Sequence, residues 1–203
     1  MKIAIVDYGM GNIKSIISAL KYLQITDITV SYDYKILKNA DKLILPGVGS
    51  FNQAMRNIQE LGLDQLLKAI GLEDKKPILG ICLGMQLMGK YSTEESWREG
   101  LCLVEGEVTK FNMGELRIPH VGFNQVTINS NSKLYSGINQ QSDFYFTHSY
   151  KMTSEKNINQ SECKYGEKFI ASFEVGNIAG VQFHPELSQT NGLKLLKNFL
   201  EKF

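Results

Sequence analysis

The apolar positions of this chain keep two rhythms, and the change between them falls near Tyr91. Before it, short unbroken apolar runs alternate with stretches in which apolar residues recur every three or four positions. Ile3-Ala4-Ile5-Val6-Asp7 reads as a buried strand ending in the turn Tyr8-Gly9-Met10-Gly11-Asn12, after which Ile13, Ile16, Ile17, Leu20 and Leu23 share a helical face. Ile28-Thr29-Val30 predicts a second strand. Lys42-Leu43-Ile44-Leu45-Pro46 predicts a third, closed by Gly47-Val48-Gly49, and residues 77–81 a fourth. Between the last two lie helical patterns, first Ala54, Ile58 and Leu61, then Leu66, Leu67 and Ile70. Strands alternating with helices predict an α/β fold with a mostly parallel central sheet flanked by helices.

After Tyr91 residues 101–111, 123–128, 144–150, 169–175 and 179–183 read as short strands with few helices between them. Antiparallel or mixed strands added in the C-terminal half are therefore expected. The polar stretch 129–143 carries larger apolar side chains only at Leu134, Tyr135 and Ile138 and reads as a surface excursion. A last helix runs from about Gln189 to Phe203, with Leu193, Leu196, Phe199 and Leu200 on one face. Neither a repeat nor a linker is evident, so residues 1–203 are expected to form one domain.

Composition narrows the function classes. A formal net charge of +1 favours neither nucleic acid nor a membrane surface. No apolar run approaches the roughly 20 residues of a membrane-spanning helix, and the N-terminal run Ile3-Ala4-Ile5-Val6 is too short for a signal peptide. Cys82, Cys102 and Cys163 are odd in number and widely spaced, which fits neither a disulfide framework nor a metal site and points to a reduced, cytoplasmic setting.

The strongest chemical signal is Gly80-Ile81-Cys82-Leu83-Gly84-Met85-Gln86, placed between a predicted strand and a helical stretch at 85–90. A nucleophile on such a sharp turn is an elbow, and glycines on either side let neighbouring backbone approach. The N–H groups of the following helix favour a thiolate and can bind an oxyanion. A cysteine on an apolar strand is by default an inert core thiol; the flanking glycines make Cys82 a nucleophile instead, and Cys102 and Cys163 lack them. The chemistry then needs a base and an orienting group. His184-Pro185-Glu186 follows a strand-like run, with Pro185 stopping the strand and Glu186 in reach of the imidazole. His120 and His148 carry no comparable flanking signal, and structural and functional roles stay open for both. Pro46-Gly47-Val48-Gly49-Ser50 is a glycine-rich turn able to aim N–H groups into a cleft, or simply to cap a helix at Ser50.

Together the Cys82 elbow and His184-Pro185-Glu186 resemble the class I (triad) glutamine amidotransferases. With Asp7-Tyr8-Gly9-Met10-Gly11-Asn12, Pro46-Gly47-Val48-Gly49, Pro119-His120-Val121-Gly122 and His148-Ser149-Tyr150, the chain is similar along nearly its whole length to the branch that forms the glutaminase subunits of imidazole glycerol phosphate synthases. The resemblance implies hydrolysis of glutamine through a Cys82 thioester, with His184 as base and acid and Glu186 as orienter. It implies an oxyanion hole from the Leu83 N–H and a flipped Gly47–Val48 peptide, and glutamine held by Gly47, Gly49, Gln86, Ser149 and Tyr150. The implied partner is a (β/α)8-barrel cyclase subunit that takes up the ammonia in histidine biosynthesis, facing Tyr8, Asn12, His120, Phe123, Asn124, Tyr145 and Leu187. No cofactor and no metal is implied. At two of those positions the chain departs from the pattern: Phe123 stands in place of tryptophan and Leu187 in place of lysine or arginine. A related branch supplies ammonia for amidino groups on surface or flagellar sugars and is the alternative pathway. A cysteine hydrolase or peptidase on a similar elbow, and a scaffold that has lost its chemistry, fit less well with Gln86 and with an intact Cys82, His184 and Glu186.

Overall fold

Continuous apolar runs need cover on both faces, and the computed structural model, which describes residues 1–112 and 117–203, provides it. The first half runs β1 (Ile3–Val6), α1 (Ile13–Tyr22), β2 (Ile28–Ser31), α2 (Tyr34–Asn39), β3 (Lys42–Leu45), α3 (Phe51–Glu60), α4 (Leu63–Lys68), β4 (Ile78–Ile81) and α5 (Leu83–Leu87). The second half holds β5 (Tyr91–Ser92), β6 (Arg98–Glu99), β7 (Glu107–Lys110), β8 (His120–Thr127), β9 (Gln141–His148), β10 (Tyr150–Thr153), β11 (Ser161–Tyr165), β12 (Glu167–Val175), β13 (Ile178–Val181) and α6 (Gln189–Lys202).

Nine strands form one sheet in the order β2-β1-β3-β4-β13-β12-β11-β8-β9. The first five are parallel, and from β12 onward each neighbour is antiparallel. Alternate residues of the parallel strands enter opposite cores. Ala4, Val6, Leu43, Leu45, Ile78 and Ile178 pack with α3, α4 and α5, whereas Ile3, Ile5, Ile44, Leu79 and Val181 pack with α1 and α6. A smaller sheet, β10-β7-β5-β6, is hydrogen-bonded separately and packs Val108 and Met152 into the core shared with Ile170 and Phe173 of β12. The parallel sheet with added antiparallel strands agrees with the sequence reading. Among the described residues no helix is long and apolar enough to cross a membrane.

Several boundaries differ from expectation. Only Glu107–Lys110 of the run 101–111 is a strand, and the helix expected at 85–90 is Leu83–Leu87. Helix α2 is capped by Asp33, whose carboxylate accepts from the N–H groups of Lys35 and Ile36, a local signal that apolar spacing does not carry. Strand β11 has no apolar run to announce it; it is held by β12 and β8 on either side. The polar stretch at 129–143 is only partly a surface excursion. Leu134 and Tyr135 are buried, and the segment is pinned by the buried Glu174 carboxylate, which accepts from Ser132 Oγ and from the N–H groups of Lys133 and Leu134. Asn198 Nδ2 donates to the carbonyls of Leu134 and Ser136 at 2.7 and 2.9 Å.

Candidate active site

The parallel strands β3, β4 and β13 end side by side, which brings three loops together at their carboxyl ends, the usual ligand edge of such sheets. Cys82 directly follows β4 with φ +53° and ψ −111°, a strained conformation for a non-glycine residue. Packing holds it there. A Cβ on Gly84 would lie 1.9 Å from the carbonyl oxygen of Leu45, so only glycine lets α5 start this close to β3. The Cys82 N–H donates to Val181 O at 2.8 Å, tying the elbow to β13. Its Sγ is 3.8 Å from Thr147 O, to which the thiol can donate, and accepts from Gln182 Nε2 at 3.7 Å.

His184 follows β13, with its backbone N–H donating to Tyr145 O at 2.9 Å. Its Nδ1–H donates to Glu186 Oε1 at 2.9 Å. Both side chains are almost wholly buried, and among the described residues His184 Nε2 has no hydrogen-bond partner. Burial alone would push this imidazole down; the Cys82 thiol and the Glu186 carboxylate outweigh it and hold its pKa up at about 10. The imidazolium is thus the favoured form beside Cys82, the arrangement that activates a cysteine nucleophile.

Cys82, Leu83 and His184 line a cavity of about 200 Å³ with Val48, Gly49, Gln86, Glu94, Thr147, His148, Ser149 and Tyr150. Of the residues expected around glutamine, Gly49, Gln86, Ser149 and Tyr150 are therefore together, and both expected oxyanion donors, Leu83 and Val48, share the cavity. Gly47 is not in the cavity lining; it packs beneath, where an added Cβ would meet Gly84 N and Tyr8 Oη, each at 2.6 Å. Gly49 has φ +99°, a backbone state that glycine adopts without strain.

Three residues escaped the sequence reading, the first being Thr147, whose carbonyl faces Cys82 Sγ. Among the described residues Glu94 is the one carboxylate in the cavity lining, and its Oε2 accepts from Phe51 N at 2.9 Å at the start of α3. Gln182, fully buried behind Cys82, binds Gln86. Glu94 had no motif around it, and Gln182 sits in a run that periodicity assigns to core.

The expected partner face divides. Phe123 and Leu187 are exposed, Asn12, Asn124 and Tyr145 are half-buried, and the rings of Phe123 and Tyr145 meet edge to face at 5.5 Å. Tyr8 and His120 are corrections: each is only 1% exposed and presents no side chain to a partner. Tyr8 Oη donates to Pro46 O at 2.7 Å, and burial, then Cys82, raises its pKa so that it stays a donor. His120 stacks between Phe146 and Tyr165, which fill the core of the antiparallel strands.

Comparison with known proteins agrees with this geometry. The model of the family described as "Glutamine amidotransferase class-I" matches residues 4–203. The chain is 47% identical over 198 residues to "Imidazole glycerol phosphate synthase subunit HisH 1" of Campylobacter jejuni subsp. jejuni serotype O:23/36 (strain 81-176), covering 97% of this chain and 98% of that one. It is 41% identical over 203 residues to "Imidazole glycerol phosphate synthase subunit HisH" of Aquifex aeolicus (strain VF5), covering 100% of this chain and 97% of the other. A crystal structure of a glutamine amidotransferase superposes with a TM-score of 0.75 at 19% identity over 98% of this chain and 97% of that one, which supports the fold. An elbow cysteine facing a buried histidine–glutamate pair, on this sheet and with this match, makes the chain a member of the class-I glutamine amidotransferase family.

Proposed function

We propose that this chain is the glutaminase subunit of an imidazole glycerol phosphate synthase, a single cytoplasmic domain over residues 1–203 that supplies ammonia to a (β/α)8-barrel cyclase in histidine biosynthesis. The observation that carries the chemistry is one cavity holding Cys82 in its strained turn and His184, whose free Nε2 is left by the Nδ1–Glu186 bond. The near full-length likeness to the two named synthase subunits supports the pathway.

In this reading the Cys82 thiolate attacks the side-chain carboxamide carbon of glutamine. The oxyanion is met by the N–H of Leu83 and, after a flip of the Gly47–Val48 peptide that Gly47 eases, by that of Val48. His184 Nε2 gives its proton to the departing nitrogen, releasing ammonia and leaving a glutamyl thioester. Water, deprotonated by the now neutral His184 Nε2, then attacks the thioester, the C–S bond breaks to give glutamate and the Cys82 thiolate, and Glu186 fixes the imidazole throughout. Glu94 suits the substrate's α-ammonium, and Gly47, Gly49, Gln86, Ser149 and Tyr150 frame the rest. Asn12, Phe123, Asn124, Tyr145 and Leu187 form the docking side.

The test is glutamine hydrolysis by this chain alone and with the histidine-pathway cyclase of the same organism, with and without the cyclase's nucleotide substrate. Low activity alone and strong stimulation by the loaded cyclase are expected. A chain that forms no complex and gains no activity from that cyclase refutes the pathway, and points to the sugar-amidinating branch.

A further inference from the structure

Two residues of the cavity wall are tied to each other and to the nucleophile by side chains whose hydrogen-bond polarity can be worked out. The carbonyl oxygen of Tyr150 can only accept, and it has two donors, Gln86 Nε2 at 3.0 Å and His148 Nδ1 at 2.7 Å. On one side this turns the Gln86 amide so that its second N–H donates to Gln182 Oε1 at 2.8 Å. The Gln182 amide is thereby oriented with Nε2 toward sulfur, 3.7 Å from Cys82 Sγ. On the other side a neutral His148 with its proton on Nδ1 must accept at Nε2, so His120 Nδ1–H donates to it at 2.9 Å. His120 Nε2 then accepts from Asn124 Nδ2 at 2.6 Å. Six contacts thus run without a break from Asn124, beside Phe123 on β8, to the sulfur.

The chain is buried almost throughout: Gln182 is 0% exposed, His120 1%, Gln86 4% and His148 6%. A glutamine that only filled this space would leave polar atoms unpaired at a cost an apolar residue avoids. Here both ends of Gln182 are used, and one is used on the nucleophile. A thiol is a weak acceptor and a thiolate a strong one, so this contact strengthens as the sulfur ionises.

We propose that Gln182 is a positioning residue for the Cys82 sulfur, and that the chain of hydrogen bonds behind it couples the nucleophile to Asn124 on the docking side of β8. The inference rests on Cys82 being the nucleophile. A partner pressing on Asn124 would act on the attacking atom through fixed amide and imidazole donors, without reaching the cavity itself.

The pH dependence of Cys82 alkylation by iodoacetamide, read by mass spectrometry of its peptide without glutamine or partner, tests this. Gln182→Leu removes the donor; Gln182→Glu keeps an acceptor for Gln86 but sets a carboxylate oxygen against the sulfur. The alkylation midpoint should rise by about one pH unit in Gln182→Leu, as for a lost hydrogen bond to a charged group, and further in Gln182→Glu. Asn124→Ala should move it the same way by roughly half as much, its effect being indirect. Midpoints that superimpose on that of the native protein in all three variants, each with native circular dichroism, overturn the proposal. A shift in both Gln182 variants with none in Asn124→Ala upholds Gln182 and overturns the coupling to β8. Failure of the glutaminase reading is separate, appearing as native chain plus cyclase that releases no ammonia.

Discussion

The buried histidines make acid stability a quantitative consequence of this fold. Burial holds the His120 imidazole down at about 4 and that of His148 at about 3, against an ordinary value of 6.5. The unfolded chain therefore takes up two protons below pH 6.5 that the folded chain refuses until pH falls through about 4 and about 3. The contribution of these two groups is full above pH 6.5 and falls with acid through that window. His184, the remaining histidine, works in the opposite sense. Its folded pKa lies above its unfolded one, so its contribution is complete below pH 6.5 and is lost only as pH rises toward 10. At pH 5 each of the two depressed groups should cost about 2 kcal/mol relative to pH 7.5, a combined loss of about 4 kcal/mol, of which the returning His184 contribution offsets about 1.5 kcal/mol, for a net fall of about 2.5 kcal/mol. Against a total of some 5–15 kcal/mol for an ordinary domain, that is a large share. Urea unfolding followed by far-ultraviolet circular dichroism at fixed ionic strength, from pH 7.5 to 5, measures it. His148→Asn, which keeps a donor where Nδ1 stood, should remove about 2 kcal/mol of that fall and leave the profile nearly flat. A native stability that changes by less than about 1 kcal/mol over the range would refute the assignment of neutral, unprotonated imidazoles.

Other outcomes follow from the same coordinates. Gly84→Ala should lower stability by about 3 kcal/mol or more, seen as a fall in thermal midpoint, because the new Cβ would sit 1.9 Å from Leu45 O. Glu174→Leu should cost about 2–4 kcal/mol in urea unfolding, since it leaves the Lys133 and Leu134 N–H groups of the 129–140 segment without their acceptor. Glu94→Gln should raise the KM for glutamine by about tenfold or more with a smaller change in kcat, as expected for lost binding of a cation; an unchanged KM would remove Glu94 from the substrate site. Nitrogen NMR of the three imidazoles should find His120 and His148 in the Nδ1–H tautomer at pH 7, and an Nε2–H signal from either would break the deduced direction of the chain.

What could be read from the sequence was what is local. The β3–turn–α3 and β4–turn–α5 units announce themselves because the backbone needs glycine at fixed places beside an apolar run, and His184-Pro185-Glu186 does so because the pair lies two residues apart. Fold class followed from unbroken apolar runs alternating with helical spacing. What stayed hidden was side-chain geometry between distant segments. Gln86, Asn124, His148 and Gln182 come from α5, β8, the end of β9 and the end of β13, and nothing in the spacing of any one segment reports the others. Glu94 reached the cavity from the loop after β5, where only its bond to Phe51 N gives it away.

The two misplaced residues show how motif and mechanism part company. Tyr8 and His120 belong to segments whose motifs suggest a partner face, but both side chains turn inward. Tyr8 fixes the carbonyl of Pro46, directly before the Gly47-Val48-Gly49 turn; His120 fixes His148, and through it the carbonyl of Tyr150. Each therefore links a surface segment to a wall of the cavity. A side chain in that position can be as restricted in its chemistry as one that touches the partner: at 8 the fold needs a buried donor, and at 120 a ring that accepts on one nitrogen and donates from the other. Phenylalanine at position 8 would keep the packing and lose only the bond to Pro46. If the glycine turn is held in register by that bond, such a variant should fold normally and yet change how strongly a loaded partner stimulates glutamine turnover, whereas loss of a mere surface contact at Tyr8 would instead weaken the complex itself.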